Sequence, residues 1–280
     1  MVAKKRTGKP SSGAHTDFTN AMNYGDYLHL DDLLATQQPR SGQHDKILFI
    51  IIHQSSELWM KLVLHELQAA AAQIRADNLR PAFKVLARVS GIQNQLTQSW
   101  DVLATLTPAD YLTFRDSLGQ SSGFQSHQYR AIEFMLGNKD SEKLRPFAHR
   151  ADIHGPLQAV LGAPSVYDEA LALLASRGLP VPQDRLERDW REPYVASSGV
   201  RAVWQTVYSD TGRYWDLYEL AEELVDLEDP FKQWRFRHVT TVARIIGAKR
   251  GTGGTAGVEY LRKALDIRLF PELWQVRTAL

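Results

Sequence analysis

Apolar side chains recur at intervals of three and four along most of the chain, which is the period of an amphipathic helix. Asp45 can cap a long helix running into the mid-70s, with Leu58, Leu62 and Ile74 among its apolar positions. Pro81 fits the first turn of a second helix carrying Phe83, Leu86, Leu96, Trp100 and Leu103. Thr107-Pro108-Ala109-Asp110 is a start signal: a hydroxyl cap, proline at the first helical position and a carboxylate at the positive helix end. The short helix it opens should stop near Gly119, and another should run from about Ser126 to Leu136, ended by Gly137. Between about 138 and 197 the spacing predicts shorter helices broken by Pro146, Pro156, Pro164, Pro180, Pro182 and Pro193. Residues 198–227 read as one helix, Asp229-Pro230 opens or kinks the next, and that one reaches Gly247. A last helical segment with Tyr260, Leu261, Leu265 and Leu269 runs to about Pro271. No sustained strict alternation marks a strand, and no internal repeat is present. The expected class is all-α. A polar, mobile arm over 1–20 precedes a single helical domain over 21–280, into which 138–197 is inserted.

Composition narrows the function classes. Lys plus Arg is 33 and Asp plus Glu is 32, a formal charge of +1, without the basic excess of a dedicated nucleic-acid binder. The chain has no cysteine, which excludes disulfides, thiolate nucleophiles, iron–sulfur clusters and thiolate-ligated haem. The longest unbroken apolar run, Ile47 to Ile52, is too short to span a bilayer, and no apolar segment follows the basic start at Lys4-Lys5-Arg6. These features predict a soluble cytoplasmic protein with no membrane partner.

Nine histidines are the candidate metal ligands. None stands three residues after a glutamate, and no His-Glu-x-x-His or His-x-His occurs, so a metal held mainly by protein ligands is not expected. Haem brings its own equatorial ligands and needs one histidine. His238 suits that role, because Phe231, Trp234, His238, Val242 and Ile245 share one helical stripe. It equally suits a buried histidine satisfied by a backbone carbonyl. Arg235, Arg244 or Arg250 can meet haem propionates or simply face solvent. His53, one turn after Phe49, can accept a heteroaromatic N–H, move a proton, or sit at the core edge paired with Glu57. Arg115, one turn after Tyr111, suits two parallel hydrogen bonds to a carboxylate, or an ion pair with Asp110 or Asp116. Gly251-Thr252-Gly253-Gly254-Thr255-Ala256 formally fits a dinucleotide fingerprint, but a helix precedes it where a strand is required. A loop closing over a ligand, or a plain solvent loop, remains.

Five blocks together resemble the tryptophan 2,3-dioxygenase family of haem enzymes. They are Phe49-Ile50-Ile51-Ile52-His53-Gln54-Ser55-Ser56-Glu57-Leu58-Trp59, Tyr111-Leu112-Thr113-Phe114-Arg115-Asp116, Ser121-Ser122-Gly123-Phe124-Gln125-Ser126, Gln233-Trp234-Arg235-Phe236-Arg237-His238 and Lys249-Arg250-Gly251-Thr252-Gly253-Gly254. They occur in the family's order across most of the chain. The resemblance implies that His238 is the axial ligand of one haem b (iron protoporphyrin IX) per subunit. It implies that His53 hydrogen-bonds the substrate indole N–H and that Arg115 and Thr252 hold its amino-acid end. Phe49 and Tyr111 match pocket walls, with Ile50, Ile51 and Ile52 on the same segment as Phe49. Ser122 and Gly123 match a loop near the haem, and Tyr24, Tyr27 and Leu28 match a segment that reaches a neighbouring subunit's site. It further implies a homotetramer that joins L-tryptophan and O2 to give N-formyl-L-kynurenine, the first step of tryptophan breakdown. A non-catalytic haem-binding sensor or carrier, and a dioxygenase for other indoles, are the alternatives.

Overall fold

The computed structural model describes residues 13–280, and the chain divides into two compact units at Arg40–Ser41. Much of the expected N-terminal arm, residues 1–12, lies outside the described residues; 13–20 carry no helix. Every regular element among the described residues is helical, as the periodicity predicts.

The first unit holds α1 (Tyr24–Leu28) and α2 (Leu30–Ala35). Asn23 and Asp26 cap α1 reciprocally, each side chain accepting from the other's backbone N–H. His29, in the left-handed conformation, ends α1 and opens α2.

The second unit is built on three helices: α3 (Lys46–Arg75), α4 (Leu79–Leu103) and, much later in the chain, one over Trp215–Ile246. After α4 come α5 (Pro108–Phe114), α6 (His127–Met135), α7 (Ala151–Leu161), α8 (Val166–Ser176), α9 (Gln183–Leu186) and α10 (Ser198–Ser209). The Trp215–Ile246 helix is α11, followed by α12 (Val258–Lys263) and α13 (Pro271–Val276). One face of α4 packs on α3 and another on α11, while α6 and α8 cover further faces of α3. Leu67, Leu86, Leu220 and Leu224 lie in the resulting core. By length and composition α3 is apolar enough to cross a bilayer, although no unbroken apolar run in it is long enough; here it packs among α4, α6 and α8.

The start signals fold as expected. Thr107 and Asp110 form a capping box with Pro108 at the first helical position, and Gly119 ends the helical stretch. The breaks are less faithful to the prolines. Pro156 sits inside α7 and Pro146 inside a 3-10 turn over Ser141–Phe147. The helix expected over 198–227 instead stops at Ser209, where Asp210 accepts from the backbone of Arg213 and Tyr214 in a turn around Gly212. Conversely, α11 runs unbroken through Pro230. Proline there deprives the Asp226 carbonyl of its helical donor, and the Ser90 hydroxyl of α4 supplies one at 2.9 Å. The segment expected to reach Pro271 ends at Lys263, and Pro271 opens α13.

Within 138–197, the first part packs Leu144, Phe147, Leu157 and Leu161 against Ala131 and Phe134 of α6 as a small second core. Lys139 donates to the carbonyls of Val160, Leu161 and Ala163, satisfying the end of α7. Its α8, by contrast, belongs to the main core. Glu228 of α11 is buried, and accepts from the backbone N–H groups of Leu269 and Phe270 and from the Trp274 indole. The C-terminal segment is thereby fastened to the middle of α11.

Candidate functional site

Three helices and two loops enclose a cavity of about 370 Å³ within the second unit. Phe49 and His53 reach it from α3, Trp100 and Leu103 from α4, and Tyr111 from α5. Trp234, His238, Thr241, Val242 and Ile245 line it from α11, so the stripe read at intervals of three and four faces one space. Ser121 to Phe124 and the glycine-rich segment with Gly251 and Thr252 complete the wall.

The two histidines are held differently. His53 donates through Nδ1 to the Phe49 carbonyl at 2.7 Å, one turn earlier, because a carbonyl can only accept. Its Nε2 is therefore an acceptor. Burial holds the His53 pKa below its ordinary value, only partly offset by that bond and by Glu57, so the ring is neutral at neutral pH. His238 has no hydrogen-bond partner at either nitrogen among the described residues. Its ring lies flat on Trp100, centroids 4.5 Å apart and planes 10° apart. Burial, with His53 nearby, pushes its pKa down to about 4. It presents a neutral nitrogen with a free lone pair.

Three buried polar atoms on this wall have no partner: the indole nitrogens of Trp100 and Trp234 and the Thr241 hydroxyl. An aromatic-walled space with orphaned donors and one unbonded imidazole suits a flat, largely apolar group. Among the described residues no three His, Asp or Glu side chains are grouped to hold a metal ion. A metal here must bring most of its own ligands and take one from His238, which is the demand haem makes. The residues fit that group.

The loops close on each other. The Thr252 hydroxyl donates to the Ser121 carbonyl, and Arg115 donates to the Arg250 carbonyl at 2.6 Å. Glycine is required where they meet: a Cβ on Gly253 would lie 2.4 Å from Phe124 Cε1 and 2.7 Å from Ser122 Cβ. Gly257, at φ +63°, turns the chain back so closely that a Cβ would meet the Lys249 carbonyl at 2.5 Å. A helix precedes this loop and no strand does, consistent with its not being a nucleotide fingerprint.

The family model described as tryptophan 2,3-dioxygenase matches residues 9–206 and 191–280. The chain belongs to that family. A tryptophan 2,3-dioxygenase of Polaromonas sp. (strain JS666) is 62% identical over 267 residues, covering 95% of this chain and 91% of its own length. The protein of that name from Polaromonas naphthalenivorans is 61% identical, covering 95% of each chain, and that from Bordetella pertussis (strain Tohama I) is 60% identical, covering 95% and 94%.

Of the residues that the family resemblance singles out, the cavity gathers Phe49, His53, Tyr111, Ser122, Gly123, Thr252 and His238. Others lie elsewhere. Ile52 is in the core, Ile51 is exposed, and neither they nor Ile50 line the cavity. Arg115 stands just outside the lining, forms no ion pair with Asp110 or Asp116, and grips the loop that carries Thr252. Tyr24, Tyr27 and Leu28 are exposed on α1 of the first unit. Arg235, Arg244 and Arg250 do not line the cavity either; Arg235 is buried against Glu133, Tyr129 and the Ala264 carbonyl. Sequence reasoning missed Trp100 as a partner of His238, and missed Arg130, Glu133 and Lys143 on the wall. The α4 periodicity marked Trp100 as buried, but no local pattern pointed it at His238.

Proposed function

We propose that the protein is a haem-dependent dioxygenase that cleaves the indole C2–C3 bond of L-tryptophan and yields N-formyl-L-kynurenine. Both oxygen atoms of O2 enter the product, one at each former ring carbon, so no external reductant is consumed. The observation that carries this reading is the convergence of His53, His238, Tyr111 and Thr252 on one apolar cavity in a chain of this family. His238 would hold haem b, one per subunit, through its free imidazole nitrogen. Haem, when bound, supplies the redox chemistry that makes O2 reactive towards the indole.

The protein's own work is positioning. His53, fixed by its bond to the Phe49 carbonyl, offers Nε2 as acceptor to the indole N–H. An electron-rich indole needs no strong base, so His53 orients the ring. Phe49 and Tyr111 flank the space, their centroids 6.3 Å apart. Arg115 and Thr252 hold the carboxylate end, and because Arg115 also binds the Arg250 carbonyl, substrate and loop share one cation. Holding the partners together removes much of the entropic barrier to their meeting. Tyr24, Tyr27 and Leu28, exposed on α1, are apolar surface that a homotetramer would cover. A cysteine-free chain suits the reducing cytoplasm.

The test adds L-tryptophan to the haem-loaded, reduced protein in air and follows N-formylkynurenine by its absorbance. Product should accumulate with tryptophan and much less with tryptamine, which lacks the carboxylate. A protein that shows a normal Soret band but no turnover is the non-catalytic carrier instead.

A further inference from the structure

One wall of the cavity carries charge that the reaction does not use. Glu133 on α6 is buried, and three cations converge on its carboxylate: Arg130 from one turn earlier, Arg235 of α11 at 3.0 Å and Lys143 at 3.5 Å. Three positive charges against one negative leave an excess of two. Arg130, Glu133 and Lys143 line the cavity, and Lys263 of α12 lines it too. Asp140, the other acid near Lys143, does not line the cavity.

The members are not equally committed. Arg130 donates to the Phe124 carbonyl, to the Tyr260 hydroxyl and to Glu133. Arg235 donates to Tyr129, to the Ala264 carbonyl and to Glu133. Both guanidinium groups are spoken for by the fold. Lys143 has only its 3.5 Å approach to Glu133 and no hydrogen bond, although its side chain is largely buried. An ammonium with three donors, drawn out of water beside surplus positive charge, is costly without an anion.

We infer that this wall receives the two propionate carboxylates of the cofactor, with Lys143 the direct donor and Arg130 and Arg235 supplying the fixed field behind it. The inference rests on the haem reading above. It moves the propionate contact from Arg235, Arg244 and Arg250, which sequence spacing favoured, to residues that face the cavity. The charge excess matches two carboxylates, and the single loosely held cation is the one able to change partner.

The experiment reconstitutes the protein with haemin and, separately, with haemin dimethyl ester, which keeps the iron and ring but has no propionate charge. Soret titration gives affinity, and transfer to apomyoglobin gives the rate of loss. The wild type should hold haemin about tenfold longer than the ester, the scale of one charge-assisted hydrogen bond. Lys143→Gln should bring that ratio close to one without changing the ester's rate, and Lys143→Arg should restore it. Because Lys143 leaves surplus charge in the empty cavity, Lys143→Gln should not lower the Tm of the haem-free protein. Equal retention of both porphyrins by the wild type, or an unchanged ratio in Lys143→Gln, overturns the inference and leaves the haem reading standing. A raised KM for tryptophan with an unaltered ratio also overturns it, since Lys143 would then serve the substrate. Uptake of neither porphyrin overturns the haem reading itself.

Discussion

The indole of Trp100 lies flat against the imidazole of His238, 4.5 Å between centroids. Since neither His238 nitrogen is hydrogen-bonded, this stack and the neighbouring Trp234 fix the plane of the ring. The Trp100 N–H has no partner to lose. Trp100→Phe should therefore change stability by less than about 1.5 kcal/mol and retain haem. Trp100→Ala should cost about 3 kcal/mol in chemical denaturation and weaken haem binding. Equal haem retention by the two variants would show that stacking does not orient His238.

His238 also makes the haem-free protein acid-sensitive. Its folded pKa, about 4, lies below the ordinary value of 6.5, so the unfolded chain takes up the proton first as pH falls. Stability from this group is fully present above about pH 6.5 and is lost progressively as pH drops towards 4. Thermal unfolding at several pH values in that window checks the sign. The decline should be shallower in His238→Leu.

His53 sets an acid limit on turnover. Burial keeps its pKa below 6.5, so Nε2 remains an acceptor at neutral pH and is lost to protonation only in more acidic solution. The acid limb of kcat/KM should fall below pH 6.5 and vanish in His53→Ala. That variant should keep about a tenth of wild-type kcat/KM, the loss of one neutral hydrogen bond. Complete inactivity with haem still bound would instead make His53 an obligatory proton carrier.

Arg115 is outside the cavity lining but bonded to the loop that completes it. Arg115→Ala should raise the KM for tryptophan about 10–100-fold, the range for a hydrogen bond to a charged group, while leaving the Soret titration unchanged. Unaltered kinetics would remove it from substrate recognition.

Gly253 tests the loop contact without touching a polar group. A methyl at this position meets Phe124 and Ser122 well inside contact distance, so Gly253→Ala must part the two loops. The expected result is a raised KM with haem affinity preserved. An unchanged KM would mean that their close approach is not needed for substrate binding.

Much of this architecture was legible wherever neighbours in sequence decide the outcome. The stripe from Phe231 to Ile245 and the Thr107 cap depend on residues a few places apart, and both fold as read. Pro230 misled because the hydroxyl that compensates it comes from Ser90, on another helix. The break at Asp210 carried a local signal in its Asp-Thr-Gly turn, outweighed by the apolar spacing on either side. The cationic wall was invisible for a different reason: Arg130 and Glu133 stand at the spacing of a common solvated helix pair. Only tertiary packing brings Arg235 and Lys143 to the same carboxylate.

The bonds from Glu228 to the last folded segment tie distant parts of the chain into one mechanical unit. Clipping the tail ahead of Leu269 would strand a bare carboxylate inside the very rod that carries His238. Damage at the far end of the polypeptide is thus transmitted to the heart of the enzyme along a single helix.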